Sequence, residues 1–299
     1  MFKKALSIFL IFTLVFLFAS CGADKDPSES NNNSNVFNPD APTITQAADD
    51  ADEPETNNGK NDKYVKVTVP EGYTLLKTAW LLEENGVCST DDFINAVNNY
   101  DTSKHSVLSS IHDRDKICFL LEGYLFPATY TFEKNSDPTK VIDKMVATEE
   151  KKFTAEMRQR ATELGYSVHD ILTIASIIEK EAFTDEQRTL ISSTIHNRLK
   201  QNMKLEYDVT VKYCTGVIQL KYPDKIDYYK YYYNGNRCKG LIAGPICNPG
   251  IASIKAALYP ADTDYLFFVI DTNPPYNSAF TNSYEEHLKN VQKWKNGEL

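Results

Sequence analysis

The sequence predicts an α+β protein: a small βααβ module, then a larger mixed α/β domain, both behind a disordered linker. Three observations predict it. Residues 65–69 alternate apolar and polar as a strand does, and two stretches of helical period follow before residue 99. From residue 141 onward helical periods dominate, with short apolar runs confined to the last third. Residues 22–63 show no apolar period at all.

The chain begins with Lys3 and Lys4, followed by an apolar run over residues 5–19. That length suits the core of an export signal, whereas a comfortable bilayer span needs roughly 20 residues. The run ends in Phe18-Ala19-Ser20-Cys21-Gly22, which resembles a bacterial lipobox with Phe in place of the usual Leu. Two readings fit: residues 1–21 are a signal peptide cleaved before Cys21, whose thiol is then lipidated, or the run is an uncleaved anchor. Both put the remainder on the extracytoplasmic face of a membrane.

Residues 22–63 carry ten acids against three lysines, a net of −7 out of the chain's −9. Such a segment buries too little apolar surface to offset its ordering entropy and is expected to be disordered. As a flexible coil it would span on the order of 35 Å. About −4 remains on residues 64–299, with no basic stripe, so no nucleic-acid partner is expected. Besides Cys21, five cysteines occur: Cys88, Cys118, Cys214, Cys238 and Cys247. The odd number leaves at least one unpaired within the chain; a disulfide within Cys214, Cys238 and Cys247 stays open. No CxxC spacing occurs, and neither a metal site nor a cofactor is expected.

Residues 64–104 hold the small module. Val65-Lys66-Val67-Thr68-Val69-Pro70 is its strand and Glu71-Gly72 its turn. Residues 74–85 place Leu75, Leu76, Ala79, Leu81 and Leu82 at helical spacing, and Gly86 stops that helix. Ser89 or Thr90 caps a second helix over residues 91–98. The arrangement resembles a LysM module; a sugar-binding unit and a purely structural one both fit it.

Residues 105–299 form the larger unit. Glu122-Gly123-Tyr124-Leu125-Phe126-Pro127 reads as a turn and strand with closely spaced aromatics. Residues 141–164 read as one long helix with polar faces. Ser167-Val168-His169-Asp170 is a capping-box-like start to a strongly apolar helix over about residues 168–183. A further helix covers residues 186–201, Tyr265-Leu266-Phe267-Phe268-Val269-Ile270 suits a buried strand, and residues 283–294 form a closing helix.

On a helical wheel of residues 171–182 the apolar face is broad. Glu179 falls inside it, between Ala175 and Leu172, while Lys180 points to the opposite side and Glu181 lies on the other flank. A carboxyl set among Leu, Ile and Ala is desolvated and holds its proton more tightly, which suits a general acid near neutral pH. A buried, paired structural acid would occupy the same position, and the wheel does not separate the two.

Ala175-Ser176-Ile177-Ile178-Glu179-Lys180-Glu181 is similar to the catalytic helix of the MltG/YceG-like endolytic murein transglycosylases, which carry A-S-I-[IV]-E-K-E. Glu122 to Pro127 with Thr129-Tyr130 resembles that family's E-G-[YW]-x-[FW]-P-x-T-Y. Asn197-Arg198-Leu199, then Met203, Leu205, Asp208, Thr210, Val211 and Tyr213, resembles its N-R-L and M-x-L-Q-[ST]-D-P-T-V-x-Y. Gly244-Pro245-Ile246, Asn248-Pro249-Gly250, Ser253-Ile254 and Ala256-Ala257 resemble its G-P-I-x-N-P-G-x-x-S-I-x-A-A. The departures are Glu206 for Gln, Tyr207 for a small hydroxyl residue, Val209 and Ile242-Ala243 for prolines, and Asn277-Ser278-Ala279-Phe280 where the family has a His.

The resemblance implies that residues 105–299 are the catalytic domain and that Glu179 is a single catalytic acid/base. It implies Glu122, Tyr124, Asp208, Thr210 and Asn248 as substrate-binding positions. The implied reaction cuts the MurNAc–GlcNAc β-1,4 bond of nascent peptidoglycan glycan strands and leaves 1,6-anhydroMurNAc ends, without a cofactor. The implied partners are glycan strands, the membrane through Cys21, and peptidoglycan synthases. Two alternatives stand beside it. One is a membrane-tethered wall-binding lipoprotein whose departures have impaired catalysis. The other is a hydrolase in which Glu122 or Asp208 is the second carboxylate.

Overall fold

The computed structural model describes residues 63–299. The signal-like run, Cys21 and the linker up to residue 62 lie outside the described residues. Strand β1, Tyr64–Thr68, pairs antiparallel with β2, Thr129–Glu133. Val67 faces Tyr130 in this register, and both are buried. The second strand of the expected βααβ unit is therefore supplied from beyond residue 105. The polar stretch after the second helix has no alternation from which to build a strand; Asp101 instead caps a 3-10 turn by accepting from Ser103 N–H at 3.0 Å.

Helices α1, Leu75–Glu84, and α2, Thr90–Asn98, lie between these strands in sequence; α2 begins at the expected cap, and Thr74, expected within the first helix, is the cap of α1. Thr74 Oγ1 accepts from Lys77 N–H, and Ser89 Oγ from Asp92 N–H. The long helix expected over residues 141–164 is two: α3, Pro138–Lys152, and α4, Ala155–Leu164. Phe153 leaves the helix to bury its ring, and Thr154 caps α4 by accepting from Met157 N–H at 3.3 Å. A buried aromatic between two helices outweighs the continuity that the polar faces suggested.

Helix α5, Val168–Glu181, starts at the expected capping box: Ser167 Oγ accepts from Asp170 N–H, and the Asp170 carboxylate accepts from Ser167 N–H. After it come α6, Asp185–Lys200; α7, Asp208–Tyr213; a π turn, Cys214–Ile218; α8, Gln219–Lys221; α9, Ile226–Tyr233; and α10, Ile251–Leu258. Helices α4, α6, α7 and α10 all pack on α5. Residues His169 and 171–178 are accordingly buried on every side of it, as an apolar helix at the centre of a domain requires. Burying an Ile contributes about 1.5–3 kcal/mol. With Ile171, Ile174, Ile177 and Ile178 all fully buried, α5 is a firmly anchored post.

The chain closes with a hairpin of β3, Phe267–Ile270, and β4, Ser278–Thr281, on which α11, Tyr284–Lys295, packs. The strand expected to be buried is only half-buried along its length, because this sheet has two strands and one covering helix. No described helix is long and apolar enough to cross a membrane.

Candidate active site

Glu179 sits in the last turn of α5, where three other segments meet: the Pro70-Glu71-Gly72 turn, the loop over residues 244–250, and the start of α10. Backbone bonds fix this junction. Gly72 N–H donates to Asn248 O at 2.9 Å, and Asn248 N–H donates to Tyr73 O at 2.8 Å. Ile246 N–H donates to Ser176 Oγ at 3.0 Å, tying the loop to α5. Asn248 Oδ1 accepts from Gly123 N–H at 3.0 Å and Leu125 N–H at 3.1 Å. Gly123 has φ +85°, and a Cβ there would lie 2.4 Å from Pro245 Cβ, so only glycine fits between these segments.

The carboxyl of Glu179 is held on one side. Oε2 accepts from Ser253 Oγ–H at 2.6 Å and from Gly250 N–H at 3.2 Å. Gly250 is the N-cap of α10 and Ser253 stands three residues on, so both donors come from one helix start. Oε1 accepts no hydrogen bond among the described residues and faces Gly72, whose Cβ, if present, would lie 3.9 Å away. Glu179 is half-buried; the wheel had placed it inside the apolar face. The last turn of α5 projects past the core, and the residues beyond it open that flank to α10.

Four of the five expected substrate contacts are inside the protein. Glu122 is 1% exposed; Oε1 accepts from Leu75 N–H at 2.7 Å and Oε2 from Tyr213 O–H at 2.9 Å. It caps α1 and ties it to α7, and burial pushes its carboxyl up to about 8 against the pull of these bonds. Tyr124 is fully buried and donates to His169 Nδ1 at 2.9 Å. The Ala243 carbonyl can only accept, so His169 Nε2 carries the imidazole proton toward it, at 2.9 Å. Burial lowers this histidine and keeps it neutral. Thr210 Oγ1 donates to Tyr207 O at 2.7 Å and accepts from Gly235 N–H at 3.0 Å. Asn248 is the knot described above. The buried atoms of Glu122, Tyr124, Thr210 and Asn248 frame the site and offer no surface to a ligand. Phe126 and Tyr130 are likewise core residues.

Asp208 is exposed. It lines a cavity of about 230 Å³ together with Glu181, Arg198, Tyr207 and Phe268. Burial, reinforced by the charge of Asp208, pushes Glu181 up to about 7, with Lys212 opposing. On the wheel Glu181 points away from Glu179, so this cavity and the Glu179 carboxyl belong to different flanks of α5. Two of the departures from the family pattern are here: Glu206 pairs with Arg198 at 3.3 Å, and Tyr207 stacks on Phe268.

Ser253, Gly250 and Glu71 were not singled out from the sequence as site residues. The spacing Gly-x-x-Ser at the start of a helix was the available signal, since it puts a backbone and a hydroxyl donor on one side. The five described cysteines are free thiols. Among the described residues no group of His, Cys, Asp and Glu could hold a metal ion.

The model of the YceG-like family matches residues 45–293. An endolytic murein transglycosylase of Bacillus subtilis (strain 168) is 34% identical over 244 residues, covering 77% of this chain and 65% of the relative. An endolytic murein transglycosylase of Streptococcus pneumoniae (strain D39) is 31% identical over 254 residues, covering 78% of this chain and 45% of the relative. The chain thus spans between about half and two thirds of the length of these relatives. A crystal structure of a yceG-like protein from Listeria monocytogenes matches with a TM-score of 0.61 at 34% identity, covering 75% of this chain and 74% of that one.

Proposed function

The chain belongs to the YceG-like family, and on that premise we propose that it is a peptidoglycan lytic transglycosylase with Glu179 as its single general acid/base. The observation that carries this reading is the one-sided hold on Glu179. With Oε2 occupied by Ser253 and Gly250, the transferable proton belongs on Oε1, the oxygen without a partner.

The reaction then runs in two proton transfers through one oxygen. Protonated Glu179 donates to the glycosidic oxygen between MurNAc and GlcNAc, and the C1–O bond breaks. The carboxylate so formed takes the proton of the MurNAc C6 hydroxyl, whose oxygen bonds to C1. The products are a 1,6-anhydroMurNAc end and a free GlcNAc hydroxyl, and no water is consumed. A hydrolase pairs two carboxylates across the bond. Glu122 has both oxygens committed inside the protein, and Asp208 lies by Glu181. Neither of these two former rivals supports hydrolysis.

Cys21 and the acidic linker extend the proposal to location. A lipid on Cys21 would hold Glu179 near the extracytoplasmic membrane surface, where new strands emerge from the synthases, so the cut falls on nascent glycan. The test of the chemistry is Glu179→Gln, which keeps the shape of the side chain. It is expected to fold as the wild type does and to release no fragments from purified peptidoglycan. Undiminished release would remove Glu179 from the mechanism.

A further inference from the structure

Glu71, in the Pro70-Glu71-Gly72 turn, reaches the site from the N-terminal module. Its carboxyl fills the space that a side chain at position 250 would need. A Cβ on Gly250 would lie 2.1 Å from Glu71 Cδ and Oε1 and 2.5 Å from Oε2. The same Gly250 sends its N–H to Glu179 Oε2. On the other side, Gly72 has φ +75°, and a Cβ there would meet Glu179 Cγ at 3.6 Å and Oε1 at 3.9 Å. Two glycines thus let the Glu71 turn close against the Glu179 carboxyl. The bonds from Gly72 and Tyr73 to Asn248 hold the turn there.

The oxygens of Glu71 accept no hydrogen bond among the described residues. A carboxyl brought to a fixed place beside another, with no donor of its own, is not accounted for by packing or capping. Burial of the group, and then the charge of Glu179, push Glu71 above its ordinary value, with Arg188 opposing and Asp185 adding.

We propose that Glu71 is a positioning residue for Glu179: a second carboxyl whose like charge keeps a proton on the pair at the pH where cleavage runs. The proposal rests on Glu179 being the acid. Two carboxyls in one site lose their protons in two steps that belong to the pair. The other charges facing the pair are Lys180 of α5, with Nζ 3.4 Å from Gly72 O, and Arg188 and Asp185 of α6. The Cys247 thiol also faces it and is pushed well up by burial.

Glu71→Gln removes the like charge and leaves those cations in place, and Glu71→Asp keeps the charge. The experiment records the pH profile of anhydro-end release from purified peptidoglycan for the wild type and both variants, with thermal melting of each. In Glu71→Gln the alkaline limb is expected to move to lower pH, with Glu71→Asp restoring it toward the wild type. A Glu71→Gln profile that superimposes on the wild type overturns the proposal and leaves the assignment of Glu179 standing. Absence of anhydro ends from the wild type, or full activity of Glu179→Gln, overturns the assignment itself.

Discussion

Ser253→Ala removes the shorter of the two bonds that hold Glu179. Ser253 is fully buried, its hydroxyl donates to Oε2 at 2.6 Å, and it accepts from Arg188 Nε at 3.3 Å. A hydrogen bond to a charged group contributes about 1.5–3 kcal/mol. In the second step of the proposed reaction Glu179 is a carboxylate, so on that reading this bond is strongest as the C6 hydroxyl proton is transferred. Losing it is expected to slow cleavage roughly ten- to hundredfold, at about 1.4 kcal/mol for each tenfold. Gly250 N–H remains, so activity falls without vanishing. Arg188 keeps its pair with Asp185 at 2.5 Å, which limits the loss of stability to about 1 kcal/mol and the fall in Tm to about 2–4 °C. The assay is the initial rate of release of anhydro-ended fragments at saturating peptidoglycan, read beside a thermal melt. A wild-type rate from a folded Ser253→Ala protein would refute the one-sided hold as the device that directs Oε1 at substrate.

Two further perturbations test other parts of the account. Glu149 is fully buried with both oxygens unpartnered, and burial pushes it up to about 8 from 4.5. The folded state therefore holds this proton more tightly than the unfolded chain. Its contribution is complete below about 4.5 and is lost as pH rises through about 8. Glu149→Met removes that dependence. Relative to wild type the variant should gain on the order of 3 kcal/mol between about pH 5 and about pH 7.5, measured by urea unfolding. A difference that does not change with pH would contradict the buried, protonated carboxyl. For the tether, Cys21→Ser is expected to move the protein from the membrane fraction to the soluble fraction of exported material. Retention in the membrane would show that the apolar run, not a lipid, is the anchor.

The parts of this fold written in local chemistry were legible in the sequence. Ser89, Ser167 and Asp170 cap the helices they were expected to cap, because capping is settled within three residues. The broad apolar face of residues 171–182 likewise marks a helix that packs into a core. What spans sequence distance was not legible. β1 finds its partner at residues 129–133 because Tyr130 and Phe132 match its buried face, and nothing near residue 100 competes. Glu122 looked like a substrate contact because a Glu-Gly turn with aromatics has the same composition in a cleft or a core. Only the arrival of Leu75 N–H and Tyr213 O–H shows that its oxygens are used inside. The sequence singles out Glu179 by its place on the helix, but its two donors lie more than seventy residues away, and the 2.1 Å approach of Glu71 depends on a missing side chain at Gly250.

The measurement that bears most directly on the central claim is mass analysis of the ends made from intact glycan strands by the wild type and by Glu179→Gln. The account predicts new 1,6-anhydroMurNAc ends, lighter than reducing ends by one water, from the wild type and none from the variant. New reducing ends would mean that water attacks C1, and anhydro ends from Glu179→Gln would mean that another group moves the proton; either result contradicts it.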